Sequence, residues 1–394
     1  MRPYFLALAA TVLAGVHAAS AQGILSLQNN SDFREQKPMS FSIGVGGGYD
    51  DMQQKGSSQS SIESGFLQGS LGATFSDHDK ITPWDLGLDL GILDYLHHTS
   101  GVADQDYTGR VVFNISHQVN QRLTIKDNFY ATYETEPNFG IGATTSGRNG
   151  QYFYGYNNFA VSYAWSDRFS TTTSYTVDGI KYQESLIAHL EDRLSHLFAQ
   201  QFSWSSSPTL KLVGEYRFGM VNYNNSSANY MTHYALAGID KAWSSRTTAS
   251  VRAGAEFYES DRGNSTAPYF EASLSHSVTK KTTLTLYSTV GYDPSELDNF
   301  QSRYSYRVGA SAAHRLTDRL TLNGDINYVY STFNGVGSSS NVMEHDFSIS
   351  AGVGYRFYDN ISLNANYSYS IVSSDDITRE YDRNRVSLGV NATF

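Results

Sequence analysis

The chain has 394 residues, with 28 Lys+Arg against 38 Asp+Glu, 29 Tyr, 33 Gly and no Cys. Without cysteine there is no disulfide framework and no thiolate metal site, and a formal net charge of −10 argues against a nucleic-acid binder. Charged residues are 17% against about 25% in average soluble domains; Tyr, Ser, Thr, Asn and Gly fill the difference and suit strands and turns better than helices.

In chain order, residues 1–21 read as a secretory leader. Arg2 gives a positive start, Tyr4 to Val16 is an apolar stretch too short to span a bilayer, and Ala19-Ser20-Ala21 fits a small-residue cleavage site. Residues 22–38 are polar and without period, and read as a short periplasmic N-terminal segment. No later segment holds 18 consecutive apolar residues, so no transmembrane helix is expected.

From residue 39 onward the sequence alternates with a period of two, which in a strand sends the two sets to opposite faces. The run Gly44-Val-Gly46-Gly-Gly48 lies in such a pattern with no helix after it. It reads as strand, with glycine easing barrel curvature, and not as a phosphate loop. Val111, Phe113, Ile115 and Val119 oppose Asn114, Ser116 and Gln118. Leu320, Leu322, Ile326 and Tyr328 oppose Thr321, Asn323, Asp325 and Asn327. Between Ile361 and Ile371 every odd position is apolar or aromatic and every even one is Ser or Asn. Val386, Leu388, Val390, Ala392 and Phe394 repeat this to the end of the chain.

Short polar turns start at Asp77, Asn120, Ser166, Ser205, Ser244, Thr279, Thr317 and Tyr358, at intervals of 35–46 residues. Longer polar breaks alternate with them, near 51–63, 96–107, 135–151, 181–184, 224–229, 261–265, 294–299, 334–341 and 373–379. Together they delimit 18 strands, with 16 as the alternative. A soluble propeller has a similar repeat length but puts four short strands in each repeat; here each holds two long ones. Tight turns on one side and longer loops on the other are the pattern of an outer-membrane barrel. The predicted fold class is therefore all-β, a transmembrane antiparallel up-and-down barrel occupying 39–394 as one domain.

Aromatics near strand ends suit the headgroup level: Trp84, Tyr95, Trp165, Phe169, Phe202, Trp204, Trp243, Tyr292, Tyr304, Tyr306, Phe357, Tyr358 and Phe394. Two places break the pattern. Within 186–198, Ile187, Leu190, Leu194 and Leu197 fall at helical spacing, yet an even strand count favours a strand whose membrane part is 194–204. Asp127 sits between Ile125 and Phe129 on an otherwise apolar face.

The leader, the alternating strands and terminal Phe394 together resemble a Gram-negative outer-membrane protein. The last strand, Arg385 to Phe394, is similar to the C-terminal signal read by the outer-membrane assembly machinery. With its repeated strand–Asp-Arg turn–strand units and segments such as Val213-Gly-Glu-Tyr-Arg-Phe-Gly219, the chain resembles the putative beta-barrel porin 2 type over most of 39–394. The resemblance implies a cell outer membrane location, with outer-membrane lipids and the assembly machinery as partners.

The sequence offers little to an enzyme. No HExxH, GxSxG or Walker sequence occurs. His97-His98 reads as a solvated loop pair. Ser116-His117, Ser195-His196 and Ser275-His276 are strand neighbours that point apart and cannot form dyads. No catalytic residue, cofactor or metal is expected. A barrel of this size leaves an aqueous channel. Its inferred lumen face carries Asp89, Lys126, Lys211, Glu215, Arg217, Arg252, Glu256, Glu271, Arg307, Asp325 and Arg356, whose mixed signs argue against strong ion selectivity. Tyr130, Tyr258, Tyr269 and Tyr287 share that face and could stack sugars. Loop 135–151 opens with Glu134, Glu136, Pro137, Asn138, Phe139 and Gly140. It resembles the third loop of general porins, which folds into the barrel, and that would set Glu134 and Glu136 against basic wall residues. The expected function is passive diffusion of small hydrophilic solutes through a plugless channel, monomeric or homotrimeric. A barrel component of polysaccharide export or an outer-membrane hydrolase are the alternatives.

Overall fold

The computed structural model describes residues 38–55, 61–97, 104–135, 150–184, 188–189, 191–224, 229–295, 300–335 and 340–394. Residues 1–37, with the expected leader, and most of loop 135–151, Glu136 included, lie outside them. The described strands are β1 (Met39–Gln54), β2 (Ile62–Asp77), β3 (Trp84–Tyr95), β4 (Gln105–Gln118), β5 (Leu123–Thr135), β6 (Gln151–Ala164), β7 (Phe169–Tyr182), β8 (Arg193–Ser207) and β9 (Leu210–Tyr223). They continue as β10 (Tyr230–Ser244), β11 (Thr247–Ser260), β12 (Gly263–Thr279), β13 (Thr282–Asp293), β14 (Phe300–Arg315), β15 (Leu320–Gly335), β16 (Val342–Tyr358), β17 (Ile361–Ser374) and β18 (Tyr381–Thr393).

Each strand pairs antiparallel with its neighbours in sequence, and β1 pairs with both β2 and β18, which closes an 18-stranded barrel. At the seam Phe41 N donates to Phe394 O at 3.1 Å and Phe394 N to Phe41 O at 2.8 Å. Closure removes every sheet edge, so all ladder groups are satisfied without water, as a bilayer demands. Glycine here does more than ease curvature. A Cβ at Gly48 would collide with the Val386 carbonyl and the Phe66 ring, so glycine lets β18 and Phe66 close on the inner side of β1.

The alternation sorts side chains as expected. Val45, Leu71, Leu90, Val308 and Leu388 are all at least half exposed on the outside, where a soluble protein would not leave a continuous apolar belt. The inside carries Ser, Thr, Asn and charge. On the short-turn side one device recurs. Asn120 Oδ1 accepts from the amides of Arg122 and Leu123 at 2.8 and 3.0 Å. Ser166 Oγ does the same for Arg168 and Phe169, and Thr317 Oγ1 for Arg319 and Leu320. A short polar side chain at the first turn position thus satisfies amides that the reversal takes out of the ladder. In the β2–β3 turn, amides of Ile81 and Lys80 hold the Asp79 carboxyl below its ordinary pKa.

Two expectations change and one holds. The break near 261–265 is a two-residue turn, Asp261-Arg262, between β11 and β12, with Gly263 at φ 138°. The strand favoured for 194–204 is present as β8, which begins at Arg193; Asp192 N donates to Ala188 O just before it, and residues 185–187 and 190 lie outside the described residues. Tyr95 belongs to no membrane-edge ring. It points inward, is 7% exposed, and donates to Asp50 at 2.9 Å.

Candidate functional site: the barrel lumen

The inner wall has two textures. In its long-loop half it is packed. Tyr130, Tyr152, Tyr154, Ile180 and Tyr182 form one buried cluster on β5–β7. Met52, Ile62, Phe66, Leu93, Tyr95, Val372 and Tyr381 form a second around the seam, and Val221, Tyr223, Tyr230 and Tyr258 a third on β9–β11. The inner residues of the short-turn half on β4–β7 are small, polar and half-exposed, among them Asn114, Ser116, Asn158, Ser162, Thr172 and Ser174. They bond to one another across strands, Asn158 Nδ2 to Thr176 Oγ1 at 2.7 Å and Ser162 with Thr172 at 2.9 Å.

Every described charged residue expected on the lumen face does point inward, because each alternates with exposed apolar neighbours such as Leu212, Tyr216, Phe257 and Phe270. At mid-height on β9–β12 they knit into one network. Arg217 grips Glu271 through both terminal nitrogens at 2.9 and 2.7 Å, and its Nε donates to Glu215 at 2.6 Å. Tyr269 donates to Glu271 at 2.8 Å. Arg252, fully buried, meets Asp240 at 2.8 Å and Glu215 at 3.6 Å. Glu256 is fully buried and accepts from the Tyr292 amide at 2.9 Å. Paired this way, buried charges offset much of their desolvation cost and stiffen the wall.

The other sites are dispersed. Arg307 pairs with Asp293 at 3.0 Å on β14 and β13. Arg356 donates to the Asp318 carbonyl at 2.7 Å at the short-turn rim. Asp325 accepts from Ser350 and, at 3.1 Å, from Asn327. Glu134 is buried and accepts from Tyr152 at 2.7 Å, inside the first aromatic cluster. Lys126 on β5 and Lys211 on β9 lie four strands apart on the same arc of the inner wall, and Asp240 stands opposite Lys211 in the β9–β10 register. Neither has a carboxylate within 4 Å among the described residues. Tyr130 and Tyr258 are 8% and 3% exposed, so they are wall packing and not a free stacking surface for sugars.

One node was missed by sequence reasoning. Asp50 on β1, fully buried, accepts from Arg383 Nε and Nη2 on β18 at 2.9 and 2.6 Å, from Arg385, and from Tyr95. Arg379 and Glu344 form a similar buried pair at 2.6 Å. The signal was present: Asp50, Arg383 and Arg385 all sit on the polar set of their strands. Bringing them together required the β1–β18 register, Asp50 against Arg385.

No curated protein matches the chain. Among solved structures it is similar to Acinetobacter baumannii OccAB4 (13% identity over 91% of this chain and 99% of that one, TM-score 0.46). It is also similar to Pseudomonas aeruginosa OpdK, solved with vanillate (11%, 90% and 99%, TM-score 0.48). A third is a BenF-like porin from Pseudomonas fluorescens Pf-5 (10%, 90% and 99%, TM-score 0.48). A family model matches the second half of the barrel. Residues 220–394 of this chain carry the pattern of the family described as putative beta-barrel porin 2.

Proposed function

We propose that the chain is an outer-membrane, porin-like channel through which small hydrophilic solutes diffuse passively, exported by its leader 1–21 and seated in outer-membrane lipid. The observation that carries this reading is the sorting of one closed wall: apolar outside round most of its circumference, hydrogen-bonded polar and charged inside. Charges that face water inside a pore shape the field on permeating ions without being desolvated by lipid. The Arg217–Glu271–Glu215–Arg252 network, Lys126 and Lys211 are the wall charges that would act in this way, with Glu256 close to the network and Glu134, Arg307 and Arg356 elsewhere on the inner face. Reconstitution into planar bilayers tests the reading. Stepwise conductance is expected from the folded barrel, and a barrel that inserts fully yet never conducts would sink it.

A further inference from the structure

At mid-height the outward residues are apolar or glycine round most of the barrel, the hydroxyl of Ser288 and scattered tyrosines aside. On β5–β8 they are not. Asn157 Nδ2 donates to Asp127 Oδ1 at 3.0 Å. On the next two strands Thr173 Oγ1 donates to Gln200 Oε1 at 2.7 Å. These four belong to the outward set, since Asp127 registers with exposed Phe159, Asn157 with exposed Phe129, and Thr173 with Val161 and Gln200. Asp127 is level with Phe159, four residues above Tyr163 of the aromatic ring at the short-turn edge. At about 3.4 Å per residue that is roughly 13 Å along the strand, within the hydrocarbon layer.

Lipid tails offer no hydrogen bond, and charge on the lipid face of a barrel is destabilising. Among the described residues nothing donates to Asp127 Oδ2. The patch also has the makings of a protein contact. Phe129, Phe159, Phe198 and Phe202 flank the polar groups and are all more than a third exposed; a cluster of aromatics is what interface cores favour. Its amides donate and its carboxylate and amide oxygens accept, so it can meet its own image, as a two-fold interface between like chains requires. Four strands across an apolar band about 25 Å tall give roughly 500 Å² per copy. Two such faces bury about 1,000 Å², the lower bound for a specific interface.

We propose that the outward face of β5–β8 is the surface on which a second copy of this chain docks. The inference rests on the barrel spanning a membrane and is independent of conduction. The natural chain has no cysteine, so introduced thiols report without background. Asn157→Cys, Thr173→Cys and the double variant Asn157→Cys/Gln200→Cys are treated with a short bismaleimide in intact membranes. Ile349→Cys on the opposite wall, outward and exposed, is the control. Heat-modifiable electrophoresis confirms that each barrel is folded. The expected result is a doubling of apparent mass from patch variants and none from Ile349→Cys. Folded, inserted barrels with no crosslink, equal crosslinking from both walls, or capture of a different protein would overturn the proposal. Failure of every variant and of the unaltered chain to partition into membranes would instead overturn the membrane-spanning reading.

Discussion

At the scale of single residues, the inner wall holds two kinds of charge, and they predict opposite phenotypes. Asp50 is fully buried between two guanidinium groups and a phenol. Replacing it by Ala leaves both arginines buried without their counter-ion, a loss of about 3–5 kcal/mol. The temperature at which the folded band converts to the unfolded one in electrophoresis should drop clearly, and an unchanged transition would refute the pairing. Lys126 and Lys211 are half-buried on the inner face and, among the described residues, make no ion pair within 4 Å, although Asp240 lies opposite Lys211 in register. Changing both to Gln should cost no more than about 0.5 kcal/mol, as for other substitutions away from buried features. It should instead shift the zero-current potential in a salt gradient toward cation preference, because positive field is removed from the lumen. If that potential does not move, these lysines do not face the conducting path.

At the scale of elements, the strands and turns explain what could be read from the sequence. Asn120, Ser166 and Thr317 each bond the amides two and three residues ahead. Asn120→Ala removes two such bonds at one turn, worth about 1–2 kcal/mol together; urea titration of the barrel in lipid vesicles should show the midpoint fall, with Asn120→Ser restoring most of it. Turn chemistry and two-residue alternation are local, and both were legible. So was the inward direction of Lys126, Arg217 or Arg252, which follows from their neighbours alone. What was not legible depends on register. The Asp50–Arg383 pair joins residues 333 apart in sequence, and Tyr95 looked like an edge aromatic until its partner Asp50 was placed. Within 186–198 an even strand count outweighs helical spacing, and β8 does begin there, at Arg193. The outward histidines show the limit set by register. His196, His233 and His345 each share a 2.7 Å hydrogen bond through Nδ1 with a tyrosine on the preceding strand, Tyr175, Tyr216 and Tyr328. That pairing satisfies a polar ring at the upper edge of the apolar belt, and single-strand periodicity does not reveal it.

At the scale of the whole molecule, the two textures of the wall predict where the proposed channel resists flow. Three aromatic clusters and the Asp50 and Glu344 ion pairs pack the long-loop half. The short-turn half of β4–β7 is lined by half-exposed Ser, Thr and Asn. In the proposed channel, a solute entering from the short turns would meet the polar vestibule first and the packed zone afterwards, and one entering from the loops would meet them in reverse. The absence of native cysteine turns this into a directional experiment. Ser174→Cys places a thiol in the vestibule, on the inward set of β7, where Ser174 registers with Ala160 and Ala199. A bulky charged thiol reagent added on the short-turn side of a planar bilayer should reach it and reduce conductance within minutes. The same reagent added on the long-loop side should react far more slowly, while a small reagent reacts from both. Opening the packed zone with Tyr152→Ala, which removes a fully buried ring from the β5–β7 cluster, should abolish that asymmetry and raise single-channel conductance. Equal access of the bulky reagent from both sides in the unaltered background would move the constriction out of the long-loop half.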